Sequence, residues 1–334
     1  MPLFKRLGID LGTTNSLVWE VGRGIVLNEP TVIAVSLDNN RILAVGREAK
    51  AMVGKAPEYI SVRRPMREGV IADYEATEAM LKFFIRKVCG STALFKPEVL
   101  LCVPAGVTQV EQRAVVEATL AAGARVAWLI DEPLAAAIGA QIPIAEPSGN
   151  MIVDIGGGSC EAAVISLGGV VNHRSLRVAG NKLDEAIMNY LRKKFNLLIG
   201  EQTAELIKIK IGGAIVPKKQ EGLEIRGRDS ITGMPKKIFL TAAQVVEAIE
   251  EPLNQILAAI KGVLEETPPE LVSDVVEKGI ILSGGTALLQ DLDKFFTSQL
   301  GVVCHLVDEP LLSVVKGTGM VLENLETYKK SLKK

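Results

Sequence analysis

Two stretches of this chain put acids and glycines at spacings that suit phosphate chemistry. "LGIDLGTTNSLVWEV", Leu7 to Val21, and "MIVDIGGGSCEAAVISL", Met151 to Leu167, share one plan. Each runs from an apolar strand through an aspartate, an apolar residue and a Gly-rich turn into an alternating strand, the pattern of a β-hairpin. Glycine in such a turn lets backbone amides approach a ligand with no Cβ in the way, and successive amides form an anion-binding nest. One nest holds a phosphate; two opposed nests would clamp a polyphosphate across a cleft. Asp10 and Asp154 stand just before the two turns. Carboxylates beside phosphates make sense with a hard cation between them, usually magnesium that keeps several waters. Phosphate loops commonly open onto a helix and use its N-terminus; a nest in a hairpin needs no helix.

Two further stretches complete the set. In "LIDEPLAAAIGAQ", Pro133 is a favoured first-turn residue, so a helix begins beside Asp131 and Glu132. The plain reading makes both acids helix-start carboxylates, worth roughly 0.3–1 kcal/mol each. The functional reading has Glu132 positioning the water that attacks a terminal phosphate, a role worth ~10²–10⁴-fold in rate. In "IILSGGTALLQDLDKFF" a strand ends at Ser283, and a helix pattern follows the glycines. Backbone at Gly284 and Gly285 could pass close to an adenine or a ribose, or could form an ordinary strand–helix turn. Competing nucleotide motifs fail. "MVGKAP" lacks the earlier glycine and the hydroxyl of a phosphate-binding P-loop, and "VGRGIVLN" lacks the third glycine of a dinucleotide fingerprint.

These residues need a frame. At 334 residues the chain is long enough for about two domains. Apolar residues at 48% and charged residues at 23% exclude wholesale disorder. A net charge of −1 gives no bulk field for nucleic acid, and no nucleic-acid partner is expected. So low a charge also permits self-association. Cys89, expected just after a helix, and Cys102, Cys160 and Cys304 lack metal spacing and read as free thiols in a reducing compartment. With His173 and His305 the only histidines, zinc or histidine catalysis is not expected. No apolar run approaches the ~20 residues of a membrane span, and the start lacks the apolar core of a signal peptide; the expected location is the cytoplasm.

Short apolar runs alternate with longer helical patterns, the mark of an α/β protein. Ser/Thr-x-x-Glu/Gln signatures at Thr108–Glu111 and Thr241–Gln244 mark helix starts. From Asp73 to Val88 a one-faced helix shows Ala76, Ala79, Met80, Phe83 and Phe84. "EVLLCVP", "RVAWLI", "NMIVDI" and "GIILSG" read as buried strands, and "IPIAEPSG", Ile142 to Gly149, as the linker. Similar hairpins on either side of that linker predict two related domains that face each other.

Taken with "VPAGVTQVEQRA", "AGNKLDEAIMNYL", "GEQTAELIKIKIG", "IRGRDSITGMPKKI" and "DEPLLSVVKGTG", these stretches resemble the actin/chaperone/sugar-kinase superfamily. Within it the chain is similar to the MreB family of bacterial actin homologues, over nearly its whole length. The resemblance implies an α/β, actin-like ATPase fold: two related domains, each a mixed sheet flanked by helices with a small insert, and a nucleotide in the cleft between them. Domain I would comprise residues 1–32, 65–141 and 309–334, with an insert at 33–64; domain II would comprise 142–180 and 240–308, with an insert at 181–239. By motif, Thr13, Thr14 and Asn15 would contact phosphates from the first turn, and Gly156, Gly157 and Gly158 from the second. Asp10 and Asp154 would hold Mg2+ through water, Glu132 would act on water, Glu205 and Lys208 would approach the ribose, and Gly284 and Gly285 would lie beside the nucleoside.

The resemblance further implies a slow ATPase. ATP with magnesium would close the cleft, and subunits would add head to tail into protofilaments, a heterologous, non-closing contact. Protofilaments would pair antiparallel on the inner face of the cytoplasmic membrane and work with the cell-wall elongation machinery. "STALFKPEV" matches a membrane-insertion loop of some members, making Leu94 and Phe95 the inserted pair; the plain reading has them covering the strand that follows. Burying both gives ~3–6 kcal/mol, too little for one monomer and enough for many copies in a filament. "MPLFKR" is too short for the amphipathic anchor helix of other members. Three positions depart from the family pattern. Lys210 and Asn181 stand where acids are expected, and Thr14 stands where a small alanine is usual, which puts the ribose contact, the rate and the base preference in question. "GIDLGTTNS" and "DEPLAAAI" also resemble chaperone nucleotide-binding domains, which need a further peptide-binding domain that is not expected here, since one final helix is read after the last motif. A sugar or acid kinase, for which no clear acceptor-activating aspartate is visible, and a non-catalytic nucleotide switch complete the alternatives.

Overall fold

Strand Glu98–Val103 is buried at every residue, so it must lie inside a sheet covered on both faces. In the computed structural model, which describes residues 4–90, 96–219 and 221–333, it does. The first five-stranded sheet runs Val126–Asp131, Glu98–Val103, Arg6–Leu11, Asn15–Glu20 and Gly24–Pro30. The first three are parallel; the last three form an antiparallel meander. The second sheet repeats that order: Cys304–Leu306, Ile280–Ser283, Asn150–Ile155, Cys160–Ser166 and Gly169–Leu176. Its parallel and antiparallel halves fall at the same places. The sequence echo is therefore an echo of topology, with each hairpin at the centre of its own sheet.

Asp10 and Asp154 each occupy the penultimate position of a central strand, so both emerge at the same end of their sheets. A three-stranded sheet made from Ile33–Ser36, Ile42–Val45 and Ile60–Arg63 has a small core of its own. Another, from Leu197–Leu198, Gly222–Asp229 and Pro235–Thr241, stands on the second half. Between Gly139 and Asn150 the described chain forms no helix or strand, as the prolines of that stretch require.

Local signals hold well. Both expected capping boxes form, opening helices Gln109–Ala121 and Ala242–Glu266. Helix Tyr74–Cys89 is capped by the Asp73 carboxylate on the Ala76 amide. Cys89 is thus the last helical residue, not a residue beyond it. The buried face of that helix is turned from the one expected: Leu81 and Ile85 are buried with Met80 and Phe84, while Ala79 and Phe83 are half-buried. After Ser283 no α-helix starts at the glycines. A 3₁₀ turn, Gly285–Leu288, comes first, and the helix Leu292–Leu300 waits until Asp291 has taken a left-handed φ of 57°. At the outer edge of the first sheet Leu129 exchanges both backbone hydrogen bonds with Lys333, each 2.9 Å. The Lys333 ammonium also reaches the Asp131 carboxylate.

Candidate functional site

The two hairpin turns meet. An added Cβ on Gly157 would lie 1.9 Å from Thr14 Oγ1, and one on Gly158 would lie 2.3 Å from Thr13 Oγ1. Two threonines of the first turn rest on two bare Cα positions of the second, which only glycine allows. Each turn is pinned from behind. The Thr31 amide donates to Thr14 O at 2.9 Å and its hydroxyl to Gly12 O at 2.6 Å. In the second turn Gly156 N donates to Ser159 O at 2.9 Å, and Thr286 Oγ1 to Gly156 O at 2.7 Å. The amides of Thr13, Thr14, Gly157 and Gly158 donate to no acceptor among the described residues. They are the raw material of a nest.

Helix Gly180–Phe195 begins against the second turn but does not offer its amides to a ligand. Gly180 N donates to Gly156 O at 3.2 Å and Asn181 N to Gly157 O at 2.8 Å. Any anion there must be met by the turn amides or by side chains, not by the first amides of this helix.

A cavity of about 760 Å³ lies over the turns. Asp10, Thr13, Thr14 and Asn15 line it from the first half, together with Glu132. Asp154, Gly156, Gly157 and Gly158 line it from the second. Glu205, Lys208, Gly284 and Gly285 form its far wall. Gly284, at φ 87°, sits so close to Ile155 that a Cβ would fall 2.3 Å from its carbonyl oxygen. Leu94 and Phe95 lie outside the described residues. Lys210 is exposed and is not among the residues that line the cavity.

The carboxylates at the floor are strongly perturbed. Asp154 is 3% exposed, and its Oδ1 is buried with no hydrogen-bond partner. Burial pushes its pKa up to about 6, with Ser283 pulling the other way. Asp10 is raised to about 7, by burial first and then by the Asp154 charge, against a hydrogen bond from Cys102. Glu132, at the start of helix Glu132–Gly139, is raised well above the carboxylate range by burial, then by Asp154, Glu161 and Asp10. Asp10 and Glu132 keep partial solvent exposure because they face the cavity; protein surrounds them otherwise, so burial still dominates. Acids held so near neutrality in a cleft mark a site where a cation or a proton is expected.

Among the described residues no three potential ligands gather closely enough to hold a metal directly. The orphaned Asp154 Oδ1 and the acid-only floor nevertheless fit a magnesium ion that keeps its waters and is shared with phosphate.

Several residues in and behind the site, and several contacts of those already named, escaped the sequence reading. The Glu161 side chain, 1% exposed, accepts from Ser175 Oγ and, at 3.3 Å, from Ala105 N. An acid inside the apolar run "CEAAVIS" was the available signal. Asp184 receives Lys208 Nζ at 2.9 Å, and that ammonium also donates to Gly180 O at 2.9 Å. Cys102 donates to Asp10 Oδ1 at 3.5 Å. Glu205 Oε2 accepts from Lys50 Nζ at 2.9 Å, across the cavity mouth.

Two sheets of identical order, joined by a linker and closing a cleft over paired hairpin turns, define an actin-like protein. The sequence model of the MreB/Mbl protein family matches residues 4–330, and the chain belongs to that family. It is 47% identical to the cell shape-determining protein Mbl of Bacillus cereus, over 98% of this chain and 99% of that one. It is 46% identical to the cell shape-determining protein MreB of Escherichia coli K12, over 96% and 94%. The crystal structure of MreB 5 of Spiroplasma citri bound to AMPPNP superposes with a TM-score of 0.93 at 34% identity, covering 98% of both chains.

Proposed function

We propose that this chain is a cell-shape protein that binds and slowly hydrolyses ATP in the cleft and assembles head to tail into filaments. The observation that carries this reading is the pair of interlocked turns whose amides lack protein acceptors, set above Asp10, Asp154 and Glu132. Relatives named for cell shape support it, as does the AMPPNP-bound neighbour.

Thr13, Thr14 and Asn15 of the first turn and Gly156, Gly157 and Gly158 of the second would contact the phosphates, with the free amides of Thr13, Thr14, Gly157 and Gly158 as fixed dipoles that replace water. Magnesium, when bound, offsets phosphate charge. Asp10 and Asp154 would orient its waters, and Glu132, ionised once positive charge is near, would accept a proton from the attacking water. Glu205 and Lys208 would flank the sugar, with Gly284 and Gly285 under the base. Residues 1–32, 65–141 and 309–334 would move as one body with their insert 33–64, and 142–180 with 240–308 as the other with 181–239.

Filaments would pair antiparallel on the inner face of the cytoplasmic membrane and guide cell-wall synthesis. No helix of the described residues is long and apolar enough to cross a membrane, so attachment would be peripheral. Pelleting with magnesium and ATP, with phosphate release followed in parallel, tests the whole reading. Filaments with slow release are expected; soluble protein with no release overturns it. Glu132→Ala should keep nucleotide affinity and lose at least ~10²-fold in phosphate release; unchanged release removes Glu132 from its role.

A further inference from the structure

Across the cleft Thr14 Oγ1 donates to Asn181 Oδ1 at 3.3 Å, joining residues 167 positions apart. Both ends are rigid. Thr14 is fixed through its carbonyl by Thr31, and Asn181 through its amide by Gly157. Both residues line the cavity beside the second turn. A carboxamide has two chemically different ends, a carbonyl that accepts and an NH₂ that donates twice. Here the carbonyl end is taken by Thr14, while Nδ2 makes no hydrogen bond among the described residues.

From this geometry we infer that Asn181 is a phosphate-binding donor, aimed by Thr14 when the two halves come together. The inference rests on the nucleotide reading above and adds a residue that the motifs did not assign. The hydroxyl of Thr14 has a single proton. While it is given to Asn181, the carboxamide cannot turn its oxygen towards the ligand, and its Nδ2 is the end left to meet an anion. An acid at 181 could still accept from Thr14, but it would bring negative charge to a polyphosphate and no donor. An alanine at 14 would leave the Asn181 oxygen without its partner and the carboxamide free to rotate. The two residues thus work as a pair, and neither titrates, so the contact is indifferent to pH.

Equilibrium binding of etheno-ATP with magnesium, on the full chain and its variants, tests this. Thr14→Ala is expected to weaken binding about fivefold, the size of one net hydrogen bond, and Thr14→Ser to restore it. Asn181→Asp, the same shape with acceptors only, is expected to lose about tenfold or more. Near-wild-type affinity in Asn181→Asp would overturn the donor role, because a purely structural latch to Thr14 would survive that change. In an Asn181→Ala background Thr14→Ala should change affinity less than about twofold. Full additivity of the two would show that Thr14 does not aim Asn181. Failure of the unmodified protein to bind etheno-ATP would instead sink the nucleotide reading itself, and is recognised by that first measurement.

Discussion

Asp154 and Glu161 are direct cross-strand partners in the second hairpin, where the first hairpin pairs Asp10 with Leu17. The two modules are alike in backbone and unlike in charge. The second carries an extra buried acid, which accepts the amide of Ala105 from the loop after strand Glu98–Val103. Each half thus brings a second buried acid close to the hairpin aspartates, Glu132 from the first half and Glu161 from the second.

Glu161→Gln should raise the melting temperature of the metal-free protein at pH 8. Burial lifts the Glu161 pKa to about 7, against its Ser175 and Ala105 hydrogen bonds, with Asp154 adding to the rise. Each unit of such a shift is about 1.4 kcal/mol of cost to the charged form, so a gain on the order of 1–3 kcal/mol is expected. A lower melting temperature would mean that the two hydrogen bonds outweigh the repulsion.

Acidity should stabilise the ligand-free fold. Between the unfolded value of 3.8 and folded values of about 7 for Asp10 and about 6 for Asp154, the native state keeps protons that the unfolded chain releases. The contribution of these groups is full below pH ~4 and is lost as pH rises through ~6–7. Melts in metal-free buffer should show a fall across that window that Asp10→Asn and Asp154→Asn each reduce. A slope unchanged in both variants would rule out these two aspartates as its source.

The cavity mouth is fastened by charge. Lys50 meets Glu205 at 2.9 Å and Arg64 meets Glu201 at 2.6 Å, and Gln202 Nε2 donates to Lys50 O at 2.9 Å. These pairs are about a third exposed or more, so each is worth ~0.2–1 kcal/mol. Lys50→Ala should speed ATP release by up to about fivefold at low salt, a difference that 0.5 M salt should erase. A salt-independent effect would point to packing instead.

Gly158→Ala should separate the turns. Its Cβ would fall 2.3 Å from Thr13 Oγ1, a hydroxyl that itself accepts from Gly69 N at 3.0 Å. Loss of nucleotide binding with a lowered melting temperature is expected, by circular dichroism and etheno-ATP titration. Retained affinity would show that the turns need not touch.

Much of this was legible in the residues. Alternation after "DLGTTN" and "DIGGGS" marks hairpins because period and turn glycines are local properties, and Thr108 and Thr241 announce helix starts for the same reason. The 3₁₀ turn at Gly285–Leu288 was not legible, because apolar residues after a glycine pair read alike for a 3₁₀ turn and for an α-helix, and the helix start is set three residues later at a left-handed Asp291. Glu161 was visible as an acid in an apolar strand, yet its partners Ala105 and Ser175 come from elsewhere in the chain. Thr14 and Asn181 were each marked as departures, but their contact exists only once the halves face each other.

The Leu129–Lys333 bridge covers one point of a sheet margin with the last described residues of the chain. During synthesis strand Val126–Asp131 emerges long before its cover, and its unpaired side stays open to other nascent chains. Proteolytic clipping near Lys329 would reopen that side in the finished molecule. Clumping of such a clipped form would then be amyloid-like edge association, unrelated to ordered assembly.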